Sequence, residues 1–276
     1  MRLNLESYLN FDETMRFIVC VKQVPDTTEV KIDPETNTLI REGVPSILNP
    51  FDQFALEEAI KIRQEGDEII VISMGPPQAK KALLKCLALG ADKAILLSDR
   101  AFAGADTWAT SYTLTQCIKK IGDFNIIFCG LQAIDGDTAQ VGPEIAAQLG
   151  IPQITHCEWV EKLEGKKLTA KVQTDDGYKI VEVRLPVLIT GITPSSFEPT
   201  NPPMMSIMKA NKKPFSTWDA DELGGNKDNY GLNGSLTEVI KVYSPPARQQ
   251  GVVIDEETAE DAVQKLIDLL SKDKVI

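Results

Sequence analysis

The chain has 276 residues, is 43% hydrophobic and 25% charged, and carries a net charge of −11 at pH 7. That composition suits a globular protein of one large or two small domains and excludes a disordered chain. It offers no basic field to a nucleic-acid backbone and no apolar run long enough to span a membrane, so neither partner is expected.

In chain order, residues 1–14 are polar and aperiodic and read as an N-terminal extension, or as residues before a usual first residue at Met15. They lack the basic-then-apolar pattern of a secretion signal, and a cytoplasmic protein is expected. Phe17 to Val21 is a buried strand. Asn49-Pro50-Phe51-Asp52 starts a helix, with Asn49 as its cap, Pro50 in first position and Asp52 in the positive first turn. Glu68 to Met74 is a strand ended by Gly75-Pro76-Pro77, and the next helix carries Ala79, Ala82, Leu83 and Cys86 and closes at Gly90. Lys93 to Leu97 is a strand, Thr107 to Ile121 a helix, and Phe124 to Cys129 another apolar strand. The loop Asp135-Gly136-Asp137-Thr138-Ala139-Gln140-Val141-Gly142-Pro143 leads into a short helical pattern stopped by Gly150.

Apolar strands alternating with helices at this spacing predict an α/β fold. Its sheet is mostly parallel, with helices on both faces in a doubly wound arrangement. After Ile151-Pro152 the texture changes. Glu158 to Leu163, Lys166 to Thr174 and Tyr178 to Leu185 read as an antiparallel β-hairpin addition, and Pro186 to Thr190 as a return to a buried strand. Residues 193–214 are rich in proline, methionine and lysine. Residues 215–246 read as loop, and residues 256–270 as an amphipathic helix. The expected organisation is an extension over 1–14, a nucleotide-binding domain over 15–214, and a C-terminal wrapping arm over 215–276 that meets a partner subunit.

Ligands in such sheets sit beyond the carboxyl ends of the strands. Val21-Lys22-Gln23, Asn49 to Asp52, Met74-Gly75 and Gly130 to Val141 therefore converge on one crevice. Strand, glycine-bearing loop and helix together present free backbone N–H groups and a positive helix end to a phosphate. Small residues at Gly136, Ala139 and Gly142 would allow close approach. Neither G-x-G-x-x-G nor G-x-x-x-x-G-K-[ST] occurs, and an ordinary βα turn is the alternative reading. Asp135 and Asp137 sit awkwardly near an anion; they brace the turn, bind ribose hydroxyls or accept from backbone N–H groups. Cys20, Cys86, Cys117, Cys129 and Cys157 form no C-x-x-C pair and read as buried thiols. His156, the single histidine, cannot build a zinc site, and no metal is expected.

Several strings in order carry a resemblance. They are Val19-Cys20-Val21-Lys22-Gln23-Val24-Pro25-Asp26, Asn49-Pro50-Phe51-Asp52 with Glu57-Glu58-Ala59, and Ala88-Leu89-Gly90-Ala91-Asp92, then Gln132-Ala133-Ile134-Asp135, Glu198-Pro199 and Ile207-Met208-Lys209-Ala210. From Met15 onward the chain resembles the β subunit of electron-transfer flavoprotein. The resemblance implies a heterodimer with an α subunit that carries FAD, and an adenine nucleotide held in the crevice of this chain. Carried over by position, the nucleotide would meet Cys20, Lys22, Asn49, Phe51, Asp52, Met74, Gly75, Gly130, Leu131 and Gln132. On the loop it would meet Asp135, Gly136, Asp137, Thr138, Ala139, Gln140, Val141 and Gly142.

In conventional members that nucleotide is a structural AMP; in flavin-bifurcating members it is a second FAD reduced by NADH. Val24-Pro25-Asp26-Thr27 and the Asp135 to Pro143 string resemble the bifurcating form, so FAD is expected and AMP is the alternative. No catalytic side chain is expected, because the flavin carries the redox chemistry. Residues 194–213 would form a recognition loop in which Met204, Met205 and Met208 dock a partner dehydrogenase; packing of these methionines into the chain's own core is the alternative. The dehydrogenase would act on an acyl-CoA or 2-enoyl-CoA, or on lactate, and ferredoxin would take the other electron. Where the family commonly has Arg-Tyr after Glu-Pro, this chain has Thr200-Asn201-Pro202-Pro203. A free-standing ATP-pyrophosphatase-like enzyme is the alternative from another class.

Overall fold

The computed structural model describes residues 14–26, 45–240 and 251–276. The chain divides into two compact units, the larger running to Ile240 and the smaller including residues 251–276. Thr27 and all but Thr14 of the expected N-terminal extension lie outside the described residues.

The centre of the larger unit is a parallel sheet made from β1 (Arg16–Cys20), β4 (Glu68–Met74), β5 (Lys93–Leu97), β6 (Ile126–Gly130) and β10 (Val187–Gly191). These strands are nearly continuous apolar runs because both faces are covered. Phe17 and Val19 look toward α1 (Pro50–Ile62) and α2 (Lys80–Leu89), packing with Leu56, Ala59, Leu83 and Leu87. Ile18 and Cys20 look the other way, toward α3 (Thr107–Ile121) and α4 (Val141–Leu149), packing with Leu114, Ile118, Ile145 and Ala146. The helix ends follow their local signals. The Asp106 carboxylate accepts from the Ala109 N–H at 2.9 Å to start α3, and Gly150 closes α4 in the left-handed conformation at φ +67°. A small antiparallel pair, β2 (Gln23–Pro25) with β3 (Ser46–Leu48), follows β1.

Beyond β10 the sheet continues into β7 (Gln153–Glu164), β8 (Lys167–Thr174) and β9 (Gly177–Arg184). The first part of β7 pairs parallel with β10 and its remainder antiparallel with β8. His156, the single histidine, is held at φ +56° where the pairing with β10 shifts register between Ile154 and Cys157, and Cys157 pairs with both β10 and β8.

Residues 215–240, expected as loop, are structured. β11 (Phe215–Trp218) adds a parallel edge to β5, and α6 (Ala220–Leu223) and α7 (Gly231–Gly234) follow α5 (Met204–Ala210) and β11 in the larger unit. Strand and helix runs of four residues are too short to display a period, and tertiary contacts decide them. Asp106 accepts from the N–H groups of Leu236 (2.7 Å) and Thr237 (3.0 Å), and its own N–H donates to Ser235 Oγ at 2.8 Å. Burial works to raise the Asp106 pKa, but the N–H groups of Ala109, Thr237 and Leu236 outweigh it and hold the carboxyl below its ordinary range. In the smaller unit, α8 (Ala259–Lys272) is capped by Thr258. It bears an exposed apolar stripe of Val263, Leu266 and Ile267.

Candidate functional site

The carboxyl ends of β4, β1, β6 and β10 lie side by side and form the floor of the crevice. Ile72 pairs with Cys20, Cys20 with Cys129, and Cys129 with Thr190, so four side chains cross the sheet in one row facing α3 and α4. Cys20 and Cys129 share a thiol hydrogen bond, which together with burial pushes the Cys129 thiol well above its ordinary range. All five cysteines are buried and free, as expected. Met74 and Gly75 end the neighbouring strand half-buried, with the Gly75 N–H donating to Leu97 O at 3.0 Å.

Beneath the crevice, α1 starts against β1 and β6, and its first turn ties them together. Asn49, fully buried, stands at the N-cap position, but its side chain does not cap the helix. It reaches outward instead. Its Nδ2 donates to Gln132 O at 2.8 Å and its Oδ1 accepts from the Ile134 N–H at 3.3 Å. Asp52 Oδ2 accepts from the Lys22 N–H at 2.7 Å, and Oδ1 from the Gly130 N–H at 3.1 Å. Both side chains thus tie the first turn of α1 to the strand ends and to the chain after β6. The contact is close: a Cβ on Gly130 would lie 2.3 Å from Asp52 Oδ1 and 2.7 Å from the Phe51 carbonyl carbon. Leu131 continues the tie through its N–H to Gly191 O at 2.8 Å. Burial raises the Asp52 pKa to about 7, against the opposing pull of the Lys22 and Gly130 N–H groups and Asn49.

The loop itself is exposed from Asp135 to Thr138. Asp137 and Ala139 take left-handed φ values of +58° and +53°, and the N–H groups of Thr138, Ala139 and Gln140 meet no acceptor among the described residues. Val141 and Gly142 open α4, whose first N–H groups have no partner within the helix. Lys22, half-exposed, has Nζ 2.6 Å from Asp135 Oδ1 and 4.0 Å from a Cβ position on Gly136. Gln132 donates to Asp137. Each aspartate has a donor partner, the bracing role expected as one of their alternatives. Three amides without an acceptor among the described residues and a helix N-terminus suit a phosphate-bearing ligand, with the charge of Lys22 already met by Asp135. Gly142 is also constrained by packing: a Cβ there would lie 2.6 Å from Thr190 Cγ2.

A second surface lies on α5. Met204, Met205 and Met208 are 71%, 65% and 63% exposed, which overturns the alternative of core packing. The N-terminal approach to α5 is anchored by Thr200, whose N–H and hydroxyl both donate to Glu57, at 2.9 and 2.7 Å.

The Electron transfer flavoprotein domain matches residues 36–223, more than half of the chain. The chain belongs to this family. The Caffeyl-CoA reductase-Etf complex subunit CarD of Acetobacterium woodii is 49% identical over 267 residues, 95% of this chain and 100% of that protein. The electron transfer flavoprotein subunit beta of Clostridium acetobutylicum is 53% identical over 252 residues, 90% and 95% of the two chains. The Acryloyl-CoA reductase electron transfer subunit gamma of Anaerotignum propionicum is 42% identical over 264 residues, 92% and 98% of the two. The chain is an electron transfer flavoprotein β-type subunit of α/β fold. Among its described residues no helix is long and apolar enough to cross a membrane, and no group of His, Cys, Asp or Glu is placed to hold a metal ion.

Proposed function

We propose that this chain is the β subunit of a flavin-bifurcating electron transfer flavoprotein, holding FAD in the crevice and taking electrons from NADH. The observation that carries the reading is the donor surface of the Asp135 loop. N–H groups at Thr138, Ala139 and Gln140, without an acceptor among the described residues, run into the start of α4, and Lys22 lies beside Asp135 and Gly136 on the same loop, a donor-rich stretch that favours phosphate. When bound, the flavin would supply the hydride and single-electron chemistry. The chain's own residues hold and orient it. Cys20, Met74 and Gly75 border the adenine end. Asn49, Asp52 and Gly130 fix the strand ends. The Lys22 ammonium offsets the charge of Asp135, and the Gln132 amide orients Asp137.

The partners follow from the same reading. An α subunit completes the heterodimer, and the exposed stripe of α8 suits packing against it. Met204, Met205 and Met208 within residues 194–213 dock a flavin-dependent dehydrogenase. The names of two relatives, a caffeyl-CoA reductase complex subunit and an acryloyl-CoA reductase subunit, favour an enoyl-CoA substrate for that dehydrogenase over lactate. Ferredoxin accepts the second electron. A structural AMP in a conventional electron shuttle is the competing reading. Coexpression with the α subunit and quantification of released nucleotide tests the choice. Two FAD per heterodimer, bleached by NADH, is the expected result; one FAD with one AMP would sink it.

A further inference from the structure

Burial does not hold α5 in place. It has seven residues, of which only Ala210 is buried, and an isolated helix of that length is unstable in water. Residues 192–203, which lead into it from β10, form neither strand nor helix. Apolar packing therefore does little to decide where Met204, Met205 and Met208 stand. Polar ties decide it instead.

Those ties converge on α1. The ring of Phe197 stands edge-on to that of Phe54, with centroids 5.1 Å apart. Three residues later Thr200 is gripped through all its polar groups. Its N–H donates to Glu57 Oε1 at 2.9 Å, its hydroxyl to Glu57 Oε2 at 2.7 Å, and its carbonyl accepts from Gln53 Nε2 at 2.8 Å. The same Nε2 donates to Glu57 Oε1 at 2.9 Å, and Gln53 Oε1 accepts from Lys85 of α2 at 2.8 Å. Gln53 is 2% exposed, and a buried amide with both polar atoms engaged favours one arrangement over its neighbours. Asn201-Pro202-Pro203 spans the gap to Met204 with two fixed φ angles. Beyond the other end of α5, Lys213 Nζ donates to Leu87 O and Ala91 O at 2.9 and 2.6 Å. The helix is thus held at both ends while its methionine side chains remain exposed.

We propose that Glu57, backed by Gln53, is a positioning residue for partner docking. By fixing Thr200 it sets the start of α5 and presents Met204, Met205 and Met208 to a flavin-dependent dehydrogenase in one arrangement. This rests on the reading of α5 as the docking surface. Without the tie, residues 192–203 would have to be ordered as the partner binds, which weakens docking and leaves the flavin chemistry untouched.

The test uses the α/β heterodimer, photoreduced and mixed with a flavin-dependent butyryl-CoA dehydrogenase and crotonyl-CoA. Flavin reoxidation at increasing dehydrogenase concentration gives a half-saturating concentration, which reads docking, and a limiting rate, which reads electron transfer. Glu57→Ala is expected to raise the half-saturating concentration roughly tenfold, with the limiting rate and nucleotide content unchanged. It should add no further loss to a variant in which Met204, Met205 and Met208 are all serine, because it acts through them. Glu57→Gln is expected to behave like wild type: its amide oxygen can still accept from the Thr200 N–H, and its amide nitrogen can donate to the Thr200 hydroxyl. An unchanged half-saturating concentration in Glu57→Ala, when the methionine variant docks poorly, would overturn the proposal and leave the docking reading standing. Equal losses in Glu57→Ala and Glu57→Gln would assign the effect to charge, with the same consequence. Wild type without saturable delivery, or delivery unchanged in the methionine variant, would refute the docking reading itself. Should Glu57→Ala fail to fold, Thr200→Val at an exposed position decides: a rise of roughly threefold is expected, and no rise overturns the proposal.

Discussion

At the crevice, Asn49 is fully buried and its side chain joins α1 to the chain after β6, while on α5 Met204 is 71% exposed and braces nothing. The two surfaces suit different physical demands on the proposed function. If the crevice holds the proposed nucleotide, its buried polar braces and glycines pressed against side chains match a ligand recognised by groups held to within a fraction of an ångström. A protein partner is recognised by area and adaptability, which unbranched thioethers supply through their flexible side chains. Mutations beneath the crevice should therefore cost stability and ligand together. Mutations on α5 should cost only the partner.

The sharpest break is expected from Gly130→Ala. Its new methyl would fall 2.3 Å from Asp52 Oδ1 and 2.7 Å from backbone of Phe51, which cannot give way as a flexible side chain would. A loss of about 3 kcal/mol in thermal or denaturant unfolding, with loss of bound nucleotide, is expected. Asn49→Ala removes two hydrogen bonds and strands Gln132 O and Ile134 N–H. About 2 kcal/mol should be lost, and the loop amides should exchange with deuterium faster than in wild type.

Asp52 supplies a pH signature of the buried brace. Its folded-state pKa of about 7 lies above the ordinary 3.8, so between these values the folded chain holds a proton that the unfolded chain has released. The contribution of Asp52 to stability therefore falls as pH rises from about 4 to about 7 and is flat above. Asp52→Asn should remove that slope from a series of unfolding midpoints; an unchanged slope would show that the group titrates elsewhere. At Asp106 the sign is opposite. Its depressed pKa means that the clamp on residues 235–237 is present above the ordinary carboxylate range and weakens as pH falls through the lowered value.

The smallest effect on stability, within about 0.5 kcal/mol, is expected for the triple change of Met204, Met205 and Met208 to serine. The same variant should bind nucleotide normally and deliver electrons to its dehydrogenase at least roughly tenfold more slowly, as loss of apolar anchors predicts. Wild-type rates of delivery would remove α5 from the docking surface.

What the sequence determined by itself follows from local rules. Apolar runs bounded by Gly and Pro placed the central strands, 3.6-residue spacing placed α1 to α4, and their alternation implied a parallel sheet whose carboxyl ends gather the crevice segments. The strings at Val19 to Asp26 and Asn49 to Asp52 carried the family. Tertiary structure decided what depends on residues far apart in the chain. Asn49 looked like a helix cap because Asn before Pro is one, but Gln132 and Ile134, more than 80 residues away, claim its side chain. β11 became a strand because β5 offered it an open edge, and a four-residue stretch shows no period of its own. Gly142 and Thr190 acquire meaning only together, since the reason for a missing side chain on one helix is the side chain on the strand beneath it. Periodicity is written along the chain, whereas close approach and hydrogen-bond satisfaction are properties of the folded pair.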